Sequence, residues 1–209
     1  MRAVYKCLTY TFFCFSMSLY SKALCQQLCT LHIHHPSMPW HVSDSVVIEV
    51  WKYYLCNLSF GNATSDACIL VESDTLLQLT CTDAAQKHLT FSFGVDSLKQ
   101  TQPNYSGDLN PLKNMYWTWQ SGYIQLKAEG KVCRNNGIWE DFQLHLGGFR
   151  HHRTDRFIQQ FLTDENIELN WHEKRLSQIL QLNPRLHIMS ECAESSQLMS
   201  QIANCIQIQ

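Results

Sequence analysis

Charge is scarce in this chain: 16% of its 209 residues are Asp, Glu, Lys or Arg, and 16 basic against 18 acidic side chains leave a formal net charge of −2. No basic field holds a phosphate backbone, which argues against nucleic acid as a partner. Beyond the N-terminal region no stretch approaches the roughly 20 apolar residues of a spanning helix, so no integral membrane segment is expected in the mature chain. No cysteine pair has C-x-x-C spacing, which disfavours a zinc ribbon or a thioredoxin-like redox site. Internal repeats and low-complexity tracts are lacking. So is any acid–base pair or other catalytic motif, and the expectation is a binding protein rather than an enzyme.

What is present is globular in composition, with 45% hydrophobic and 11% aromatic residues, and the length suits one domain. The chain opens with Met1-Arg2 and Lys6, an apolar run from Cys7 to Tyr20, and Ser21-Lys22-Ala23, which has the small-x-small form of a signal-peptidase site. This predicts a secretory signal over 1–23, a single domain over 24–209, and a periplasmic, secreted or cell-surface location. Of ten cysteines, Cys7 and Cys14 would leave with the signal, and eight remain (10 − 2): Cys25, Cys29, Cys56, Cys68, Cys81, Cys133, Cys192 and Cys205. In an oxidising compartment most of these are expected in disulfides.

Hydrophobic periodicity predicts a mostly β fold. Cys29 to His35 alternates, with Cys29, Leu31, Ile33 and His35 on one face and Thr30, His32 and His34 on the other. Val46 to Leu58 is a β-branched and aromatic run. Shorter strands are expected over Cys68–Val71, Thr75–Thr80, His88–Val95, Gly122–Glu129 and Ile138–Leu146, with Leu89, Phe91, Phe93 and Val95 buried. A turn-rich surface loop, about Ser97 to Lys113, separates two of them. Leu176, Ile179 and Leu180, then Leu198, Met199, Ile202 and Ile206, recur at helical spacing, with Pro184 between. The sum is an all-β class: a sandwich of short antiparallel strands with a long functional loop and short C-terminal helices.

Ten histidines suggest a late transition metal. Lone ones such as His88 and His172, and the pair His151-His152, read as ordinary surface or core residues. His35 differs from its neighbours because alternation puts it on the apolar face. His145 lies on the polar and aromatic face of its strand, with Trp139, Asp141 and Gln143, just before Gly147-Gly148. The densest feature is Met115-Tyr-Trp-Thr-Trp-Gln-Ser-Gly-Tyr123. In an extended chain Trp117 and Trp119 share one side, as a core strand or a sugar-stacking platform would have them.

Five blocks in order, Trp51-Lys-Tyr-Tyr-Leu-Cys-Asn-Leu-Ser59, Phe91-Ser-Phe-Gly-Val-Asp-Ser97, Gly107-Asp-Leu-Asn-Pro111, the Trp-x-Trp segment with Lys127-Ala-Glu-Gly130, and Phe142-Gln-Leu-His-Leu-Gly-Gly148, resemble the MbnP-like copper-binding proteins. These are exported partners of a di-haem enzyme of the cytochrome c peroxidase/MauG type. The resemblance implies that the partner oxidises Trp117 to kynurenine and that one Cu(I) is held by this residue with histidines. His35 and His145 are then the candidate donors, with His34 an alternative to His35. An indole nitrogen has its lone pair tied into the ring, whereas the aryl amine left by ring opening can ligate. Cu(I) accepts imidazole nitrogen and soft donors. A copper oxidoreductase, or a carbohydrate-binding module using Tyr116, Trp117, Trp119 and Tyr123, are the other readings.

Overall fold

The structure is a computed structural model that describes residues 27–61, 63–81, 88–101, 105–148, 155–160 and 166–209. The expected signal segment, Cys25 and the His151-His152 pair lie outside them. The elements run β1 (Gln27–Ile33), β2 (Trp40–Ser43), β3 (Val46–Phe60), β4 (Ala63–Thr64), β5 (Cys68–Val71), β6 (Thr75–Cys81), β7 (His88–Phe93), α1 (Ser97–Thr101), β8 (Tyr116–Thr118), β9 (Gly122–Cys133), β10 (Trp139–Gly147), β11 (Asp155–Gln160), β12 (Asn166–Trp171), α2 (Glu173–Leu182), β13 (His187–Ile188), α3 (Ala193–Ala203) and β14 (Ile206–Ile208). The fold is mostly β, as the periodicity predicts. No helix among the described residues is long and apolar enough to cross a membrane.

The strands make two sheets. One has four strands in the order β14-β12-β1-β6; the larger has ten, with β11-β7-β3-β9-β10-β13 along its main path and β2, β4, β5 and β8 beside it. Both are mixed rather than purely antiparallel, because β1 runs parallel to β12 and β10 parallel to β13. Each parallel pair joins strands far apart in sequence, and the helices α2 and α3 pack against the core. The chain after Pro184 is less helical than its spacing suggests: Ile206 belongs to β14 and pairs with Trp171, beyond the cap at Asn204.

One apolar cluster joins the two sheets. Leu31, Ile33, Ile167 and Leu169 come from the smaller sheet. Trp51, Tyr53, Phe91, Phe93, Leu126 and Phe142 come from the larger one, with Leu176, Leu198 and Ile202 from the helices. Its centre is aromatic: Trp171 meets Trp51, Tyr53 and Phe93 edge-on at ring separations of 5.0, 5.2 and 6.0 Å, the arrangement that ring quadrupoles favour. Leu89, Phe91, Phe93 and Val95 are all buried, as expected.

Strand β3 departs from simple alternation. Tyr53, Tyr54, Leu55 and Cys56 are consecutive and fully buried. Tyr53 and Leu55 face the smaller sheet, while Tyr54 and Cys56 face outward into a second cluster. A sheet covered on both faces loses its polar alternation, and what covers the outer face here is the long loop.

Candidate metal centre

The loop expected on the surface is partly a lid. After α1 it forms two short 3-10 turns, Gly107–Leu109 and Pro111–Lys113. The Tyr54 hydroxyl donates to the Asp108 carbonyl at 2.8 Å and the Tyr123 hydroxyl to the Leu109 carbonyl at 2.9 Å. In return the Asp108 carboxylate accepts the Leu70 amide at 3.0 Å. Burial pushes the Tyr123 phenol up to about 12 and the Tyr54 phenol higher still, so both remain donors at any ordinary pH. Beneath the loop lie Tyr54, Cys56, Leu70, Val95, Leu109, Met115, Tyr123 and Ile124, with Cys68, Tyr116 and Trp117 packed against them.

The Trp-x-Trp segment is not a continuous strand. β8 ends at Thr118, and Trp119, Gln120 and Ser121 form the turn into β9, closed by the Ser121 amide on the Thr118 carbonyl at 3.2 Å. The two tryptophans therefore do not share one environment, contrary to the extended reading. Trp117 is half-buried against the outer cluster, whereas Trp119 is 76% exposed. Beside them the Tyr116 ring meets Tyr123 at 4.8 Å, and its hydroxyl lies 3.0 Å from that of Tyr105.

His35 stands just past β1. Its amide donates to Asp74 Oδ1 at 2.6 Å, and its Nε2 lies 2.7 Å from the Trp51 carbonyl oxygen. A carbonyl only accepts, so Nε2 carries the proton and Nδ1 keeps the lone pair. His145 is 7% exposed, with Nε2 at 2.7 Å from Glu129 Oε1. Burial works against the Glu129 carboxylate, but His145 and the Lys127 ammonium at 3.2 Å outweigh it and hold its pKa below the usual range. Each ring is thus oriented through one nitrogen by an oxygen, the arrangement that fixes tautomers in metal-binding histidines.

These contacts place the three expected residues in separate settings. On β9, His145 lies opposite Lys127 while β8 pairs with Gly122 and Tyr123. That is about 15 Å along the strand at the usual rise of about 3.4 Å per residue. His145 and Trp117 share the outer face of the larger sheet; His35 is held at the Trp51 carbonyl, just past β1 of the smaller sheet. Among the described residues, the His, Cys, Asp and Glu ligand atoms that do converge belong to His32, His34 and Asp74, all within 4.8 Å of one another. The i, i+2 spacing of His32 and His34 was a readable signal for one half of that group. Asp74 joins it only through the turn before β6.

Gly147-Gly148 lets the backbone come close to neighbouring segments. A Cβ on Gly147 would fall 2.5 Å from the Tyr123 carbonyl oxygen, and Gly148 has φ of +91° with Glu191 where its Cβ would point. The end of β10 can therefore lie directly against the start of β9, under Trp117's hairpin.

Disulfides are fewer than expected among the described cysteines. Cys56 and Cys68, directly opposite across β3 and β5, are joined, whereas Cys133, Cys192 and Cys205 carry thiols. The bonded pair belongs to the cluster against which Trp117 packs.

No curated protein matches the chain. Among solved structures it is similar to MbnP from Methylosinus trichosporium, with 13% identity, a TM-score of 0.46, and alignment over 80% of this chain and 83% of that one. The family model for MbnP matches residues 23–197, most of the chain. The chain belongs to the MbnP family.

Proposed function

We propose that this chain is an exported copper-binding protein that holds one Cu(I) through histidines and an amine made from Trp117, in copper acquisition or homeostasis and without turnover of its own. The observation that carries the reading is the placement of Trp117 in a chain of this family. It is half-buried on a hairpin beside Tyr116 and Tyr123, near enough to the surface to be reached by an oxidising enzyme. Exposed Trp119 next to it offers that enzyme a docking contact. The partner is a di-haem enzyme of the cytochrome c peroxidase/MauG type, and periplasmic or secreted placement agrees with the Cys56–Cys68 disulfide.

The donor types suit the ion. Ring opening at Trp117 converts a non-ligating nitrogen into an aryl amine, and Met115, buried in the same cluster, adds a thioether as a soft neighbour. His35 and His145 are the candidate imidazole donors, and each lies apart from Trp117, His35 at the Trp51 carbonyl and His145 at Glu129. Because they sit at separate contacts, they are tested one at a time. The experiment is co-expression with the di-haem partner, followed by intact mass and copper analysis of wild type, Trp117→Phe, His35→Ala and His145→Ala. The reading expects one modified tryptophan and one copper in wild type, and neither in Trp117→Phe. Full copper affinity in Trp117→Phe refutes it.

A further inference from the structure

On the outward face of the smaller sheet the side chains are polar where the inner face is apolar. Leu31 and Ile33 of β1 are fully buried, while His32 and His34 point the other way and are half-exposed. Two residues on, a strand returns to the same side about 7 Å along, so the two imidazoles stand next to each other, ring centroids 3.8 Å apart. Asp74 closes the third side from the turn before β6. Its Oδ1 accepts the His35 amide at 2.6 Å, which fixes the carboxylate. One ligand atom from each residue lies within 4.8 Å of the other two. Tetrahedral donors at about 2.1 Å from an ion are about 3.4 Å apart, a contraction that half-exposed imidazoles make by small side-chain rotations.

We propose that His32, His34 and Asp74 form a second metal site, for a divalent late transition ion, Cu(II) or Zn(II), separate from the site at Trp117. The donor set decides the class. Two neutral imidazoles and one carboxylate carry a single negative charge and combine borderline nitrogen with hard oxygen. That suits Cu(II) and Zn(II), and it lacks the soft donors that favour Cu(I). The Asp74–His35 amide bond supplies the outer-shell support that metal-binding carboxylates ordinarily have. Three protein donors also leave a coordination position open. A cavity lined by His34, His35, Asp74, Asn170, Trp171 and Glu173 adjoins it, with room for water or for a donor group of an incoming chelate.

The bland account of these residues is a solvated ion pair, since His34 Nε2 lies 3.7 Å from Glu168 Oε2. Such a pair at the surface contributes little. It explains neither the close approach of the His32 and His34 rings nor the fixed carboxylate of Asp74. Glu168, opposite His32 in the parallel register, instead stands at the rim and adds negative charge toward a cation.

The test uses the full exported chain made without the di-haem partner, so that Trp117 is unmodified and the copper reading above is not being probed. Metal-free protein is titrated with Cu(II) and with Zn(II), followed by calorimetry and, for Cu(II), by electron paramagnetic resonance. The expected result is one ion per chain with a spectrum showing two nitrogen donors. Its affinity should be unchanged in Trp117→Phe and in the exposed-histidine control His41→Gln, and about 10-fold or more weaker in His32→Gln and in His34→Gln. Asp74→Asn keeps an oxygen for the His35 amide and so preserves the turn; it should weaken Zn(II) while leaving thermal stability unchanged. Equal affinity and an unaltered spectrum in His32→Gln and His34→Gln overturn the proposal, as does loss of the ion in Trp117→Phe.

Discussion

Replacing Tyr54 and Tyr123 by Phe would leave both rings in place and remove only the two hydroxyls that hold the long loop down. Each is fully buried, and each donates to a loop carbonyl, Asp108 at 2.8 Å and Leu109 at 2.9 Å. A net hydrogen bond contributes about 1 kcal/mol, and a carbonyl left dry and unpaired costs about 1–3 kcal/mol. Single variants should therefore lose about 1–2 kcal/mol each. In a chain of this size that lowers Tm by about 2–8 °C. The two rings meet edge-on at 6.0 Å, so the double variant should depart from additivity. Because the same loop leads into Met115, Tyr116 and Trp117, hydrogen exchange should rise from Gly107 to Thr118 and stay unchanged in β7. Urea unfolding with a constant m-value gives the free energies, and exchange gives the location. A double variant as stable as wild type, with the loop equally protected, would refute the claim that these phenols pin it.

Further outcomes follow from the same contacts. Trp117→Phe should abolish high-affinity copper binding in protein from a host carrying the partner enzyme, whereas exposed Trp119→Phe should keep the fold and slow or block the modification; intact mass separates the two. Protein made without the partner should show a wild-type circular dichroism spectrum but bind Cu(I) weakly, because the buried faces and the Cys56–Cys68 disulfide, the latter worth about 2–4 kcal/mol, form without Trp117 oxidation. Reducing that disulfide should raise Cu(I) uptake by exposing two thiolates, and Cys56→Ser/Cys68→Ser should abolish the rise. Burial disfavours the Asp96 carboxylate, yet Lys99, at 2.5 Å, and Asn57 hold its pKa below the usual range. A depressed folded-state pKa gives stability that is present above the unfolded value, near about 4, and lost as pH falls through the folded one. Asp96→Asn should accordingly flatten the acid limb of a Tm–pH curve and leave the neutral side lower by a constant amount.

Much of the fold was legible because its strands have one wet and one dry face. The alternation of Leu89, Phe91, Phe93 and Val95 marks β7 and that of Phe142, Leu144 and Leu146 marks β10, and all seven are buried, whereas Ile138, at the expected start of the second segment, is exposed and precedes the strand. Periodicity is silent where both faces are covered. Nothing in Tyr53-Tyr54-Leu55-Cys56 tells which two side chains meet the smaller sheet and which two meet the loop. It is silent too on pairing over distance: β12 joins β1 in parallel across more than a hundred residues, and no local pattern encodes that choice. Ile206 continues the spacing of Leu198 and Ile202, yet the helix stops at Asn204, since apolar spacing carries no information about where a helix ends.

The histidines show the same division between local and distant information. Alternation assigned His35 to one side of β1 and His32 and His34 to the other, and Leu31 and Ile33 are buried as that register requires. Sequence reasoning then favoured His35, because a histidine on an apolar face needs an explanation. The structure supplies one in the Trp51 carbonyl, a partner that uses one ring nitrogen and leaves the other. Of the polar-face pair, the resemblance implies only His34, as an alternative to His35, and nothing local joins it to His32 in one site. The pair's interest comes from Asp74, some forty residues on in sequence, which the antiparallel pairing of β6 with β1 carries back beside His34: Thr75 lies opposite Ile33, so the residue before Thr75 must fall next to the residue after Ile33. A metal site is a meeting of side chains, and here the third member is delivered by strand register. The His-x-His half could be read from the chain, but its completion depended on a pairing that only the folded sheet reveals.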